Sequence, residues 1–291
     1  MGSYLDADVP LVLSALSLGT HVAFEERVAA AAEAGFAGIG LRAEDYWAAQ
    51  ESGLDDAAMF AILDRHGVAI AEVELLQDWA GADYRASADD SASADCGAAE
   101  PADPQGRRKE ETILHVARAF GASHANAGVL EDVPGVSIPD AFAALCRRAG
   151  DVEIALEPFA FGPLTTVAAA WNVVRLAAAP NAGVLVDLWH WRRSGTMPDH
   201  LESVPPERVL AVQLADVHGL RMEPMRTEAR HSRLAPGEGA GDVARVLTIL
   251  RDYGVSPRVV AVEVMNDGLL AQGPRAAARA LMAAARHVLA L

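Results

Sequence analysis

Four apolar segments in the second half of the chain each carry an oxygen-bearing polar residue toward the C-terminal end. They read ValGluIleAlaLeuGlu (152–157), GlyValLeuValAspLeuTrpHis (183–190), AlaValGlnLeuAlaAsp (211–216) and ValAlaValGluVal (260–264). The residues concerned are Glu157, Asp187, Gln213 and Glu263. Three carboxylates buried side by side repel one another unless a cation or protons neutralise them. An oxygen-only donor set suits a hard divalent ion, Mn²⁺ or Mg²⁺ first, with Co²⁺ and Zn²⁺ also able to occupy it. No Lys or Arg lies within the four segments, so the sequence offers the acids no basic partner there. His190 follows Asp187 by three residues and is a candidate fifth ligand, hydrogen-bond donor or proton carrier. Trp189 and Trp191 flank it and would wall the site or pack into the core.

The elements that must position these residues alternate along the whole chain. Short apolar runs at 12–18, 38–42, 69–76, 124–130, 152–159, 183–189, 209–216 and 258–265 read as strands. Helical periods fall between them at 23–34, 55–66, 108–120, 138–149, 166–178, briefly near 198–202, at 240–252 and at 274–290. Strands that are almost continuously apolar and alternate with helices imply a parallel sheet covered by helices. Eight such units predict a single-domain (β/α)8 barrel, a TIM barrel, spanning 1–291. A doubly wound open sheet is the rival, and the Gly-rich turn its dinucleotide-binding form needs after the first strand is absent. On a strand of period two, Glu157 shares a face with Ala155, Asp187 with Leu185, Gln213 with Ala211 and Glu263 with Ala261. All four polar residues therefore face the barrel interior near its C-terminal mouth, where barrel enzymes carry their chemistry.

Composition narrows the function. The formal net charge of −16 and the absence of a basic run argue against nucleic acid as a partner. No apolar run reaches the length of a membrane span, and the N-terminus lacks the positive region of a signal peptide. Cys96 and Cys146 belong to no metal or redox motif, and a reduced cytoplasmic setting is expected. Residues 80–107 are small, acidic and Pro/Gly-punctuated, and read as a flexible insertion after the third strand. ProGlyGluGly (236–239) is a weak phosphate-binding candidate, and a turn capping the following helix is the stronger reading.

ValAspLeuTrpHis (186–190), ValGlnLeuAlaAsp (212–216), ArgHisSerArgLeuAlaProGlyGluGly (230–239) and ValGluVal (262–264), with GluAlaGlyPheAlaGlyIleGlyLeuArg (33–42), resemble the sugar phosphate isomerase/epimerase family. That family belongs to the xylose-isomerase-like barrel superfamily. The resemblance implies that Glu157, Asp187, Gln213 and Glu263 are the metal ligands, that His190 contacts substrate and that Arg233 reaches a substrate oxygen. It also implies a small-molecule substrate and a homodimer or homotetramer. Ketose 3-epimerases of the superfamily usually carry His at the third ligand position. Gln213 there is similar to hydroxypyruvate isomerases and 3-dehydroshikimate dehydratases.

The expected reaction is abstraction of a proton beside a carbonyl, giving an enediolate that a divalent ion stabilises. Glu157, Glu263 and His190 are the candidate catalytic residues, and Arg233, His190, Trp189 and Glu74 the candidate substrate contacts. Return of the proton makes the protein an isomerase or epimerase of a sugar or small hydroxy-ketone. Loss of a β-hydroxyl makes it a dehydratase of a cyclic hydroxy-ketone, the alternative reading.

Overall fold

A computed structural model describes residues 9–80 and 104–290. Eight parallel strands close into a barrel in chain order. They are β1 (Leu11–Leu13), β2 (Gly38–Arg42), β3 (Ala69–Leu76), β4 (His124–Gly128), β5 (Ile154–Glu157), β6 (Ala182–Asp187), β7 (Val209–Leu214) and β8 (Val259–Val262). Pairing of β8 with β1, Val12 opposite Ala261, closes the ring. Closure leaves no strand edge among the described residues.

The period-two alternation divides the strand side chains as the sequence predicts. Ile154, Leu156, Val184, Val186, Val212, Leu214, Val260 and Val262 join the helices in one large core. Ala155, Leu185, Leu210 and Ala211 pack as a separate small cluster, and Val12, Val259 and Ala261 as another, inside the barrel. Leu210 breaks the alternation. The β6–β7 register slips after the pairing of Val184 with Val209, and Leu210 is the extra residue. Gly183 makes room for it, since a Cβ there would lie 2.5 Å from Leu210 Cγ.

The helices obey their punctuation. Asp55 caps Asp56–His66 by accepting the Ala58 N–H at 2.9 Å, and Gly67 ends that helix in the left-handed region at φ 64°. Other boundaries differ from the sequence reading. The first strand ends at Leu13 rather than residue 18, and Ala15–Leu18 forms a 3-10 turn. The Ser17 hydroxyl donates to Val262 O and accepts from Val264 N–H, each at 2.9 Å, which fastens this turn to the end of β8. A helix at Ala43–Glu51 stands where a loop is expected. The sixth strand ends at Asp187, and Leu188–Ser194 is helical because the Asp187 carboxylate caps it, accepting the His190 N–H at 2.6 Å. Of the expected insertion 80–107, residues 81–103 lie outside the described residues, as does Cys96, while 104–107 already belong to the helix Pro104–Phe120. Cys146 is buried, and burial pushes its thiol up to about 12. Among the described residues no helix is long and apolar enough to cross a membrane.

Candidate metal centre

The C-terminal ends of β5 and β6, and the residue just past β8, bring Glu157, Asp187 and Glu263 together. One carboxylate oxygen from each lies within 4.8 Å of the others, and all three residues are buried. Gln213 stands opposite Asp187 in the β6–β7 register and next to Ala261 in the β7–β8 register. Its side chain is fully buried, and neither its Oε1 nor its Nε2 has a hydrogen-bond partner among the described residues. A buried amide left unsatisfied costs about 1–3 kcal/mol per group, and the Gln213 Oε1, on the strand beside Asp187, is available as an oxygen donor to a cation.

The acids do have a basic partner, contrary to the expectation drawn from the strands alone. Arg233 enters from the segment after the helix Met225–His231 and is buried. Its Nη1 donates to Asp187 Oδ2 at 2.7 Å and to Glu263 Oε2 at 2.8 Å, while its Nε donates to Ala229 O at 3.0 Å. The strand segments do not reveal this partner, because it comes from the connection between β7 and β8 and reaches back over the barrel mouth. Three carboxylates and one guanidinium leave two negative charges, which a divalent ion would balance. The donor set therefore fits such an ion: Glu157, Asp187 and Glu263 by carboxylate oxygen and Gln213 by amide oxygen.

The electrostatics show the same imbalance. Burial pushes the Glu157 carboxyl well above its ordinary value, and Glu263 and Asp187 add to the effect. Burial also raises Glu263, to about 7, against the pull of Arg233. Asp187 is held below its ordinary value: burial would raise it, but Arg233, His190 and the His190 backbone N–H together outweigh that. One carboxylate is thus firmly ionised, and the other two are poised to exchange a proton for a cation.

His190 is fixed in one tautomer. Its Nδ1 accepts the Ala160 backbone N–H at 3.1 Å, so the ring proton resides on Nε2, 3.7 Å from Glu157 Oε1. Burial lowers its pKa to about 3. His190 is consequently a neutral donor aimed at the acid cluster, and its Nε2 is not free to ligate a metal. Phe159 and Phe161 meet the ring edge-on at 4.8 and 5.3 Å. Trp189, read as a substrate contact or as core packing, is fully buried. It packs against His190 with centroids 4.9 Å apart, and the Arg233 guanidinium lies 5.2 Å from its ring.

Glu74, at the end of β3, reaches the same region. Its Oε1 accepts from Ser14 Oγ and from Ala15 N–H, each at 3.1 Å, and Ser14 Oγ also lies 3.3 Å from Glu263 Oε1. Burial holds the Glu74 carboxyl well above its ordinary value, reinforced by Glu263 and Glu72. Ser14 is invisible as a site residue in the sequence, where it falls in the middle of an expected strand.

The ProGlyGluGly turn does not receive a phosphate. Asp216 fills that place: its Oδ1 accepts from Val217 and Gly241 N–H, both at 2.7 Å, and its Oδ2 from Gly237 at 3.1 Å and Gly239 at 3.0 Å. The turn is an anion nest whose anion is the protein's own carboxylate. It braces the loop that delivers Arg233, through the paired backbone of Asp216 and Leu234.

With this geometry the family can be stated. The chain belongs to the xylose isomerase-like TIM barrel family, whose model matches residues 28–287. It is 32% identical over 142 residues to the 3-dehydroshikimate dehydratase of Pseudomonas aeruginosa, a match covering 48% of this chain and 22% of that protein. The chain therefore aligns with about a fifth of the length of that curated relative. Its fold is also that of the IOLI protein solved with a zinc atom, at a TM-score of 0.81 and 16% identity over 97% of this chain and 98% of the other. The D-allulose 3-epimerase from Methylomonas sp. shares it at a TM-score of 0.68 and 17% identity, covering 97% of this chain and 96% of that one. Likenesses at these identities define the fold.

Proposed function

We propose that the protein is a divalent-metal-dependent lyase that dehydrates a cyclic hydroxy-ketone of the 3-dehydroshikimate kind. The observation that carries this reading is the buried cluster of Glu157, Asp187 and Glu263, with the unpartnered Gln213 amide on the strand beside Asp187 as a fourth oxygen donor. The sequence match to a 3-dehydroshikimate dehydratase supports it and moves dehydration ahead of isomerisation.

A divalent ion held by the four residues supplies Lewis-acid polarisation of a substrate carbonyl. The side chains do the rest. Glu157 and Glu263 come from the two ends of the β5–β8 arc, on β5 and just beyond β8. One of them, as a carboxylate, removes the proton beside the carbonyl and passes that proton to the departing hydroxyl, which leaves as water. The His190 Nε2–H, oriented by Ala160, donates to a substrate oxygen and cannot itself act as base near neutral pH. Arg233 fixes the directions of Asp187 and Glu263 and balances one of their charges. Phe159 and Phe161 shield the imidazole edge from water.

The test is incubation of 3-dehydroshikimate with the protein and Mn²⁺ or Mg²⁺ in D₂O, followed by mass spectrometry. Loss of water, abolished by chelator and by Glu157→Gln, is the expected result. Deuterium entering a substrate or isomer of unchanged composition would make the same site an isomerase or epimerase. Turnover indifferent to chelator would remove the metal reading altogether.

A further inference from the structure

A second group of buried polar side chains lies inside the barrel, one inward layer below the acids. Glu72 of β3 and His124 and Asn126 of β4 are all fully buried. Glu72 sits two residues before Glu74, and Asn126 pairs with Ala155, two residues below Glu157. Glu72 Oε1, His124 Nε2 and Asn126 Oδ1 have no hydrogen-bond partner among the described residues. Three unsatisfied buried polar atoms on two neighbouring strands would be a heavy cost for a barrel core.

The surrounding hydrogen bonds fix the imidazole. Ser123 Oγ donates to Ala71 O at 2.9 Å, and a carbonyl can only accept, so the hydroxyl proton is committed there. Ser123 Oγ must then accept from His124 Nδ1, 2.7 Å away, which puts the ring proton on Nδ1. His124 Nε2 presents a lone pair to Glu72 Oε2 at 3.5 Å. Two acceptors face each other, and something positive belongs between them.

Distance chooses between a proton and a metal ion. An N–H···O bond spans about 2.7–3.2 Å. A tetrahedral ion with nitrogen and oxygen ligands at about 2.0–2.1 Å spaces them roughly 3.4 Å apart. The observed 3.5 Å matches the second case. The Asn126 amide nitrogen is 3.3 Å from Glu72 Oε2, and rotating the amide by half a turn would put its unpartnered oxygen at the same ligand-to-ligand spacing. The pattern His124 Nδ1–H to Ser123 to Ala71 O is the outer hydrogen bond that orients a metal-binding histidine. Gly40 of β2 makes room for the Glu72 carboxylate itself: a Cβ there would lie 3.1 Å from Glu72 Oε1.

We propose that Glu72, His124 and Asn126 form a second, inner divalent-metal site, with zinc favoured by its imidazole ligand. Three protein donors and a water complete a tetrahedron. This site shares no ligand with the outer cluster, so it stands or falls separately from the proposed activity.

The test is metal analysis of the full chain purified from zinc-supplemented medium, with anomalous diffraction at the zinc edge. Two ions per chain are expected, with one anomalous peak between His124 Nε2 and Glu72 Oε2. Brief chelator treatment should remove the outer ion and leave the buried one. Glu72→Gln and His124→Gln, checked for folding by circular dichroism, should each lose one ion and keep that of the outer cluster. Absence of an anomalous peak between His124 Nε2 and Glu72 Oε2, whatever the outer cluster holds, overturns the proposal. The wild-type diffraction result decides it even if both variants fail to fold.

Discussion

The two halves of this barrel bury polar groups in opposite ways. In the β5–β8 half, Asp187 and Glu263 share the guanidinium of Arg233, and Glu157 stands within reach of the His190 imidazole. In the β3–β4 half, Glu72 faces His124 and the Asn126 amide, and no Lys or Arg makes an ion pair with it among the described residues. Both sets are inward residues on parallel strands, so the strands alone do not explain the difference. Its source is the connections between strands. A long connection after β7 sends Arg233 back over the mouth, whereas the inner layer can be reached only by neighbouring strands. Charge at the mouth can be tuned by loops, and charge one layer down must be settled by whatever the strands themselves provide.

The most severe way to break the outer half is to remove its acid–base chemistry. Glu157→Gln or Glu263→Gln should lower turnover by about 10²–10⁴-fold while leaving the fold intact, as read from product formation and circular dichroism. A variant retaining full turnover would mean that these carboxylates only bind. Removing the counter-charge comes next. Arg233→Met should destabilise the metal-free protein by about 3–5 kcal/mol in urea unfolding, because two buried carboxylates lose their partner. Added Mn²⁺ should restore much of that loss. An unchanged unfolding midpoint would mean that protons already neutralise the cluster.

The loop that delivers Arg233 offers a milder test. Asp216→Ala strips an acceptor from four backbone N–H groups, and a cost of about 2–4 kcal/mol is expected, with slower turnover as Arg233 loses its fixed position. If stability falls but kcat and KM do not move, the nest braces the fold and not the site. The smallest effect is one of pH. Burial raises Glu157 and Glu263, the latter to about 7, so protons compete with a cation for both. Mn²⁺ affinity, measured by calorimetry, should fall as pH drops below about 7, by roughly tenfold per unit for each proton displaced. An affinity flat from about pH 8 to 6 would show that the raised carboxyls are not the ligands.

Much of the site is legible in the sequence because strand geometry is simple. Glu157, Asp187, Gln213 and Glu263 recur at one parity near the ends of apolar runs, and parity survives folding when strands are parallel and buried. The same rule holds in the inner layer, where HisAlaAsnAlaGly (124–128) and GluValGlu (72–74) also alternate. Those residues stand out less because they are of mixed type, and only the register of β3 on β4 shows that they face one another. Ser14 is hidden for a different reason. Nothing in an apolar run at 9–18 shows that the chain turns after Leu13, since the turn is fastened by Ser17 bonding to β8. Trp189 reads equally as a pocket wall or as core packing, because a sequence gives the neighbours of an indole along the chain and not those across space.

By itself the sequence determined the eightfold alternation of strand and helix, the inward face of each strand and the acidic, oxygen-rich character of the mouth. These arise from local periodicity and side-chain chemistry, which act over a few residues. Only the tertiary structure decided that Arg233 divides its charge between Asp187 and Glu263, that His190 is locked as a neutral donor, and that Asp216 fills the nest a phosphate would otherwise enter. Each depends on groups that close approach brings together from distant parts of the chain, and in a buried site a hydrogen-bond partner within about 3 Å fixes the protonation and charge that the residue type leaves open.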